Sequence, residues 1–135
     1  MADSFKFELV SPERLLVSAN VSQVIIPGSE GEMTVMVDHA PVMTTIKPGV
    51  VTVTRESGET DGYVVFGGFA DILPTGCTLL AESALHVSET NREHIRERVD
   101  AAQKEMEETD SEERKTTLVQ YLEQLSTLEG TIMPA

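Results

Sequence analysis

Three histidines, one cysteine and a glycine-rich acidic loop are the residues of this chain that could do chemistry. His86 and His94 stand eight apart across an expected strand-to-helix boundary, whereas a helical metal pair needs ligands at i and i+4. With His39 they read as packed or solvated side chains, and no metal is expected. Cys77 is the only cysteine, so a disulfide within the chain is excluded and a zinc cage lacks soft ligands. A thiol nucleophile needs an adjacent base or a helix N-terminus. Cys77 has neither nearby in sequence and reads as a buried structural residue. Asp38 and His39 pair a carboxylate with an imidazole, the makings of acid–base hydrolysis. Adjacent strand residues point to opposite faces, which makes that pair geometrically poor. No G-x-S-x-G elbow and no GxxxxGK(S/T) phosphate loop occurs. Gly28-Ser29-Glu30-Gly31-Glu32 is spaced like a phosphate cradle, but Glu30 and Glu32 would repel phosphate. It reads instead as a tight loop between strands, with Gly28 and Gly31 at positive φ. Gly67-Gly68 reads as a bulge or a close backbone approach. These residues form no catalytic constellation.

The elements that must position them change type near Val87. Residues 1–88 carry 11 acidic and 4 basic side chains and all the glycines but Gly130. Residues 89–135 carry 12 acidic and 6 basic side chains, with Gly130 and Pro134 as the only breakers. Before the change, apolar residues alternate or run short. Phe5, Phe7 and Leu9 face one way, and Lys6 and Glu8 the other. Val21 and Val24 to Ile26 form a run closed by Pro27-Gly28. Met33, Val35 and Val37 alternate with polar or outward residues, as do Val51 and Val53. Ser57-Gly58 and Pro74-Thr75-Gly76 are turn signals between strand partners. Many short strands at this spacing predict an antiparallel sandwich or flattened barrel. After the change, Thr90 and Glu93 fit a capping box. Ile95, Val99, Ala102 and Met106 follow as one narrow apolar stripe. Ser111 or Asp110 caps a second helix, with Leu118, Leu122 and Leu125 as its stripe and Gly130 as its stop. The two helices are expected to pair antiparallel, as the less stable part of the chain.

Composition narrows the partners. The chain has 135 residues and a formal charge of −13. Nucleic acid is a poor partner, because phosphate neutralisation needs clustered Lys and Arg. An anionic membrane surface would repel the chain as well. Hydrophobic residues make up 40%, enough to reject global disorder, and with aromatics at 4% the aliphatic residues must build the core. The start lacks the charged head and apolar run of a secretory signal. No apolar stretch approaches the roughly 18 to 20 residues of a spanning helix, so no direct membrane insertion is expected.

Two blocks carry a resemblance. Pro27 to Gly49 reads PGSEGEMTVMVDHAPVMTTIKPG, with GSEGE, HAP and IKPG in order. Phe66 to Ala84 reads FGGFADILPTGCTLLAESA, with a GG pair after one strand and LAE at the end of the β region. Together they resemble the epsilon-subunit family of bacterial F-type ATP synthases, and the resemblance extends from residue 1 to about residue 129. It implies a mainly β plus α fold: an N-terminal ten-stranded antiparallel β-sandwich over 1–87 and a C-terminal antiparallel α-helical hairpin over 88–135, with helices near 90–107 and 111–129. It further implies a non-catalytic subunit of the central stalk, bound to gamma and to the c-subunit ring, that couples proton translocation to ATP synthesis. The hairpin then regulates ATP hydrolysis through transient contact with the alpha and beta subunits. The implied place is the cytoplasmic face of the bacterial inner membrane, as a peripheral part of the complex. The candidate docking residues are Gly28, Glu30, Gly31 and Glu32 of the glycine-rich loop and, in the Val37–Pro41 turn, His39, Ala40 and Pro41, to which the resemblance points. Pro41 biases Ala40 toward extended geometry, so that turn enters an interface pre-ordered.

Some members of the family bind ATP through a segment resembling I/L-D-x-x-R-A. Here that segment reads TNREHI, Thr90 to Ile95, with Asn91 in place of Asp and His94 in place of Arg. The guanidinium that would meet phosphate is missing, and no cofactor is expected. The alternative from another class is a free-standing nucleotide- or metabolite-sensing module on the same fold. A small hydrolase using Asp38 and His39 is the third reading.

Overall fold

The first strand shows the alternation at work. In β1 (Phe5–Val10) the side chains of Phe5, Phe7 and Leu9 are buried and that of Lys6 is exposed. Such alternation buries one face of a half-covered sheet. This is a computed structural model and it describes residues 4–90 and 92–132. After β1 come β2 (Leu15–Gly28), β3 (Gly31–Met36), β4 (Val42–Ile46), β5 (Gly49–Arg55), β6 (Thr60–Val65), β7 (Gly68–Leu73), β8 (Gly76–Ala81) and β9 (Ala84–His86). A short 3-10 turn, Val87–Glu89, leads to α1 (Arg92–Glu108) and α2 (Glu112–Ile132). The chain divides into two compact units, Met1–Val87 and Ser88–Ala135.

In the first unit β2 organises the sheet. Its first half pairs with β1, which pairs in turn with β8, then β7, then β4. Its second half pairs with β3 and β5, and β5 continues to β6 and β9. Gly28 at its end pairs with Ile46 of β4. One strand thus serves both layers. It can do so because a bulge at Ser22 sets Val21 against Arg55 and Gln23 against Thr54. Such an extra residue bends a strand and increases its twist. Ser22 Oγ donates to the Thr54 carbonyl at 3.3 Å and holds the bulge. The core lies between the layers: Phe7, Leu9, Val21, Val24, Ile26, Val51, Val53, Ala70, Ile72 and Leu79 are fully buried.

Two expectations about strands change. Nine strands, not ten, occur among the described residues, and the continuous Leu15–Gly28 strand counts once although it serves both layers. The pairing is not wholly antiparallel, since β1 and β8 run parallel with Phe7 opposite Cys77. Most of the unit separates these two strands in sequence, so no short crossover has to join them. The hairpin signals fared better. Ser57-Gly58 does turn β5 into β6, with Gly58 N–H donating to the Arg55 carbonyl at 2.8 Å. Gly68 is a close backbone approach: a Cβ there would lie 2.2 Å from the Leu80 carbonyl oxygen.

In the second unit α1 buries Ile95 and Ala102, and α2 buries Leu118, Leu125 and Leu128. Ser111 is the cap of α2, its Oγ accepting from the Arg114 N–H at 3.1 Å. Arg114 reaches back across the turn to Glu105, with Nη2 donating to Oε1 at 2.9 Å and Nε donating to Oε2. That bond holds the Glu105 carboxyl below its usual value and raises the Arg114 guanidinium. The helix limits shift slightly, from 90–107 to 92–108 and from 111–129 to 112–132. Gly130 does not stop α2, which continues to Ile132. Mid-helix glycine costs about 1 kcal/mol against alanine, too little to end a helix by itself. Thr131 Oγ1 donates to the Thr127 carbonyl at 3.0 Å in that last turn.

Candidate functional site

Two loops of the first unit carry the implied docking residues. The β2–β3 hairpin turns through Ser29 and Glu30, with Gly28 paired to Gly31. Gly31 takes φ 131°, as expected; Gly28 does not take positive φ. What Gly28 supplies is space, since a Cβ there would lie 2.8 Å from the Gly31 carbonyl oxygen. The tip is tied to β4 rather than left free. Ser29 N–H donates to the Thr45 carbonyl at 3.0 Å, and Thr45 Oγ1 donates to Ser29 Oγ at 2.8 Å. Lys47 N–H donates to the Pro27 carbonyl at 3.0 Å. A braced hairpin therefore presents the exposed carboxylates of Glu30 and Glu32.

The second loop joins β3 to β4. His39 N–H donates to the Met36 carbonyl at 3.3 Å, and Asp38 sits at φ 61° in the left-handed region. A positive φ at the third turn position suits glycine or a short polar residue, and Asp38 is the latter. His39 Nδ1 lies 2.8 Å from the Ala40 carbonyl oxygen. A carbonyl only accepts, so Nδ1 is the donor in this contact. The imidazole bonds Ala40 and not the Asp38 carboxylate, so Asp38 and His39 are not joined as an acid–base pair. Ala40 and Pro41 are exposed, and His39 is half-buried. Beside this loop an open groove of about 440 Å³ is lined by Ser22, Gln23, Met36, Val37 and Thr54. Met36 is 54% exposed. The sequence analysis did not single out this groove. Its apolar wall was visible as the outward residue of the β3 alternation, but the Ser22 bulge that shapes it has no local signal.

The structure does not bring the two loops together. β3 has 6 residues and runs from one to the other. At about 3.3 Å per residue they lie roughly 17 Å apart, at opposite ends of that strand.

The remaining candidates are structural. Cys77 is buried, and desolvation, with help from the Asp71 charge, pushes its thiol up to about 12. It is inert at neutral pH. His86 Nε2 lies 3.3 Å from Asp61 Oδ1, and Arg55 Nε donates to Asp61 Oδ2 at 3.1 Å. His94 is half-buried in the first turn of α1. Asn91, the other position of the ATP-type segment, lies outside the described residues. Among the described residues no three His, Cys, Asp or Glu side chains gather to hold a metal. Nor is any described helix long and apolar enough to cross a membrane.

The described residues form a β-sandwich followed by two helices, and the sandwich presents two loops held by backbone hydrogen bonds. Residues 4–87 match the profile of the ATP synthase delta/epsilon chain β-sandwich domain. The chain is 59% identical to the ATP synthase epsilon chain of Mesorhizobium japonicum over 135 residues, all of both chains. It is 57% identical to that of Brucella canis, again over all of both chains. Among solved structures it is similar to a chain of the Euglena gracilis mitochondrial ATP synthase OSCP/F1/c-ring assembly. There the TM-score is 0.73 at 24% identity, over 98% of this chain and 82% of that one. That likeness concerns the fold. The chain belongs to the ATP synthase epsilon-chain family, whose members are non-catalytic subunits of that complex.

Proposed function

We propose that this chain serves in the central stalk of a bacterial ATP synthase, bridging gamma and the c ring so that proton translocation drives ATP synthesis. The observation that carries the reading is 59% identity over the whole length of an epsilon chain. The complex then holds it at the cytoplasmic face of the inner membrane as a peripheral subunit. The loops around Gly28, Glu30, Gly31 and Glu32 and around His39, Ala40 and Pro41 are the docking elements. Their placement at opposite ends of β3 supports a subunit that meets more than one neighbour. Their bracing supports rigid docking, with little ordering entropy lost on binding. The test is co-purification of the tagged subunit with gamma and c from solubilised membranes. Glu32→Lys and His39→Ala are each expected to weaken recovery several-fold, while Glu129→Ala in the second helix leaves it unchanged. Equal recovery of all three would sink this docking surface.

The hairpin is a weak inhibitor of ATP hydrolysis, or none. Arg114 and Lys115 are the only cations of α2, and each is engaged within the hairpin, with Glu105 and with Glu112. Beyond Arg114 and Lys115 the only charged residues of α2, Glu123 and Glu129, would repel an acidic partner. ATP binding is not part of the function, since His94 offers no fixed cation for phosphate. Truncation after Ser88 should change hydrolysis by the assembled complex less than about twofold. A several-fold rise would show that the tail inhibits.

A further inference from the structure

The last strand of the sandwich is too short to hold itself. β9 has three residues and pairs on one side only, with β6. Its last residue and the next one in the chain, the partly exposed Val87, meet β6 on opposite faces. On one face His86 stands opposite Tyr63 in register, with the rings edge to face at 5.1 Å. On the same face its Nε2 lies 3.3 Å from Asp61 Oδ1, and Arg55 of β5 holds the other carboxylate oxygen at 3.1 Å. Asp61 and Tyr63 are two apart on β6, so they share that face. On the other face Val87 lies over Gly62, the residue between them. A Cβ at Gly62 would stand 3.0 Å from Val87 Cγ2 and 3.7 Å from Val50 Cγ1. The missing side chain is the seat that Val87 occupies.

We propose that His86 and Val87 form a two-faced clamp on β6 that fixes the point at which the chain leaves the sandwich. The boundary between the two compact units falls directly after Val87. The 3-10 turn Val87–Glu89 buries no residue. With β9 held in this way, a pull on the chain beyond Val87 bends it there before β9 leaves the sheet. Asp61 is a positioning residue in this device: it acts through His86, and Arg55 keeps its carboxylate charged and aimed. The clamp belongs to the isolated chain and does not depend on the docking reading above.

Residue-resolved amide hydrogen exchange on the full-length chain tests it. His86→Ala removes one jaw and Val87→Ala the other. Gly62→Ala fills the seat of Val87 without touching β9. Each should raise exchange of those β9 amides that bond β6 about tenfold, with Phe7 and Val17 in the β1–β2 ladder unchanged. Unchanged exchange at Ala84–His86 in all three variants would overturn the clamp. So would a uniform rise across β9 and the β1–β2 ladder, because that is global destabilisation and not a local release.

Discussion

In the sandwich, Phe7, Leu9, Val24 and Ile72 are fully buried, and each belongs to one continuous cluster drawn from both layers. In the hairpin, Ile95 and Leu125 are fully buried, but each lies on a stripe about one side chain wide. The first unit joins residues far apart in sequence: β1 meets β8, and β2 meets β5. The second joins two neighbours across a three-residue turn. A sheet with both layers filled has to melt as one body, since removing any strand exposes the rest of the core. Two paired helices with narrow stripes can fray from their free ends. The contrast locates rigidity in the part that carries the braced loops, and adaptability in the part that carries most of the charge per residue.

The sharpest way to break that contrast is a core deletion in each unit. Phe7→Ala should cost about 3–5 kcal/mol and abolish or strongly lower the cooperative melt of the sandwich. Leu125→Ala should cost about 2–4 kcal/mol, confined to the helices. Circular dichroism at a helical wavelength, set beside near-ultraviolet tyrosine signal from Tyr63 in a Tyr121→Phe background, separates the two. Equal loss of both signals in Leu125→Ala would mean that the units are one cooperative body. Truncation after Ser88 asks the same question more bluntly. Residues 1–88 should melt cooperatively alone, and an aggregated fragment would show that the sandwich needs the helices.

How far the sequence reveals this arrangement depends on the range of each interaction. β1, the β5–β6 hairpin and the β7–β8 turn were legible because alternation and turn residues are local signals. The cap at Ser111 and the stripes of both helices were legible for the same reason. The parallel β1–β8 pair was not, because nothing near Phe7 encodes Cys77 as its partner. The bulge at Ser22 was hidden, since an extra residue in a ladder is defined only by the strand opposite. The Arg55–Asp61–His86 cluster joins three strands, and its members are ordinary surface residue types. Among the candidate docking residues, Pro41 and Gly31 announced turns. The bracing of Ser29 by Thr45, which makes the tip rigid, was visible only once β4 was in place.

A smaller effect sharpens the comparison at acid pH. The Asp61 carboxyl is held below its ordinary value of 3.8, first by the hydrogen bond with His86 and then by that of Arg55. A carboxyl lowered in the folded state stabilises above its ordinary value, and that contribution fades as pH falls through the lowered one. The groups facing it are Arg55 on β5, Tyr63 on β6 and His86 on β9. With the carboxyl about a third exposed, solvent screening leaves about 0.5 kcal/mol. Asp61→Asn should lower sandwich stability slightly at pH 7 and converge with the parent below the lowered pKa. A constant gap down to pH 2 would mean that Asp61 acts by packing and not by charge.

The smallest expected effect belongs to the hairpin turn. Glu105 and Arg114 are both about half exposed, and their pairing joins α1 to α2 beside the Ser111 cap. Exposed ion pairs lose most of their Coulomb energy to water and salt, and ordering two long side chains offsets part of what remains. Bidentate geometry makes this one better than most. Glu105→Gln keeps the length and one acceptor oxygen but removes the charge. It should lower helix content near the turn slightly in low salt, and leave it unchanged at 1 M salt, where screening has already weakened the pair. The sandwich signal should not move in either condition. A large, salt-independent loss would mean that the turn is held by the shape of the Arg114–Glu105 contact and not by its charge. The hairpin would then be far more rigid than its narrow stripes imply, and the contrast between the two units would fail at that point.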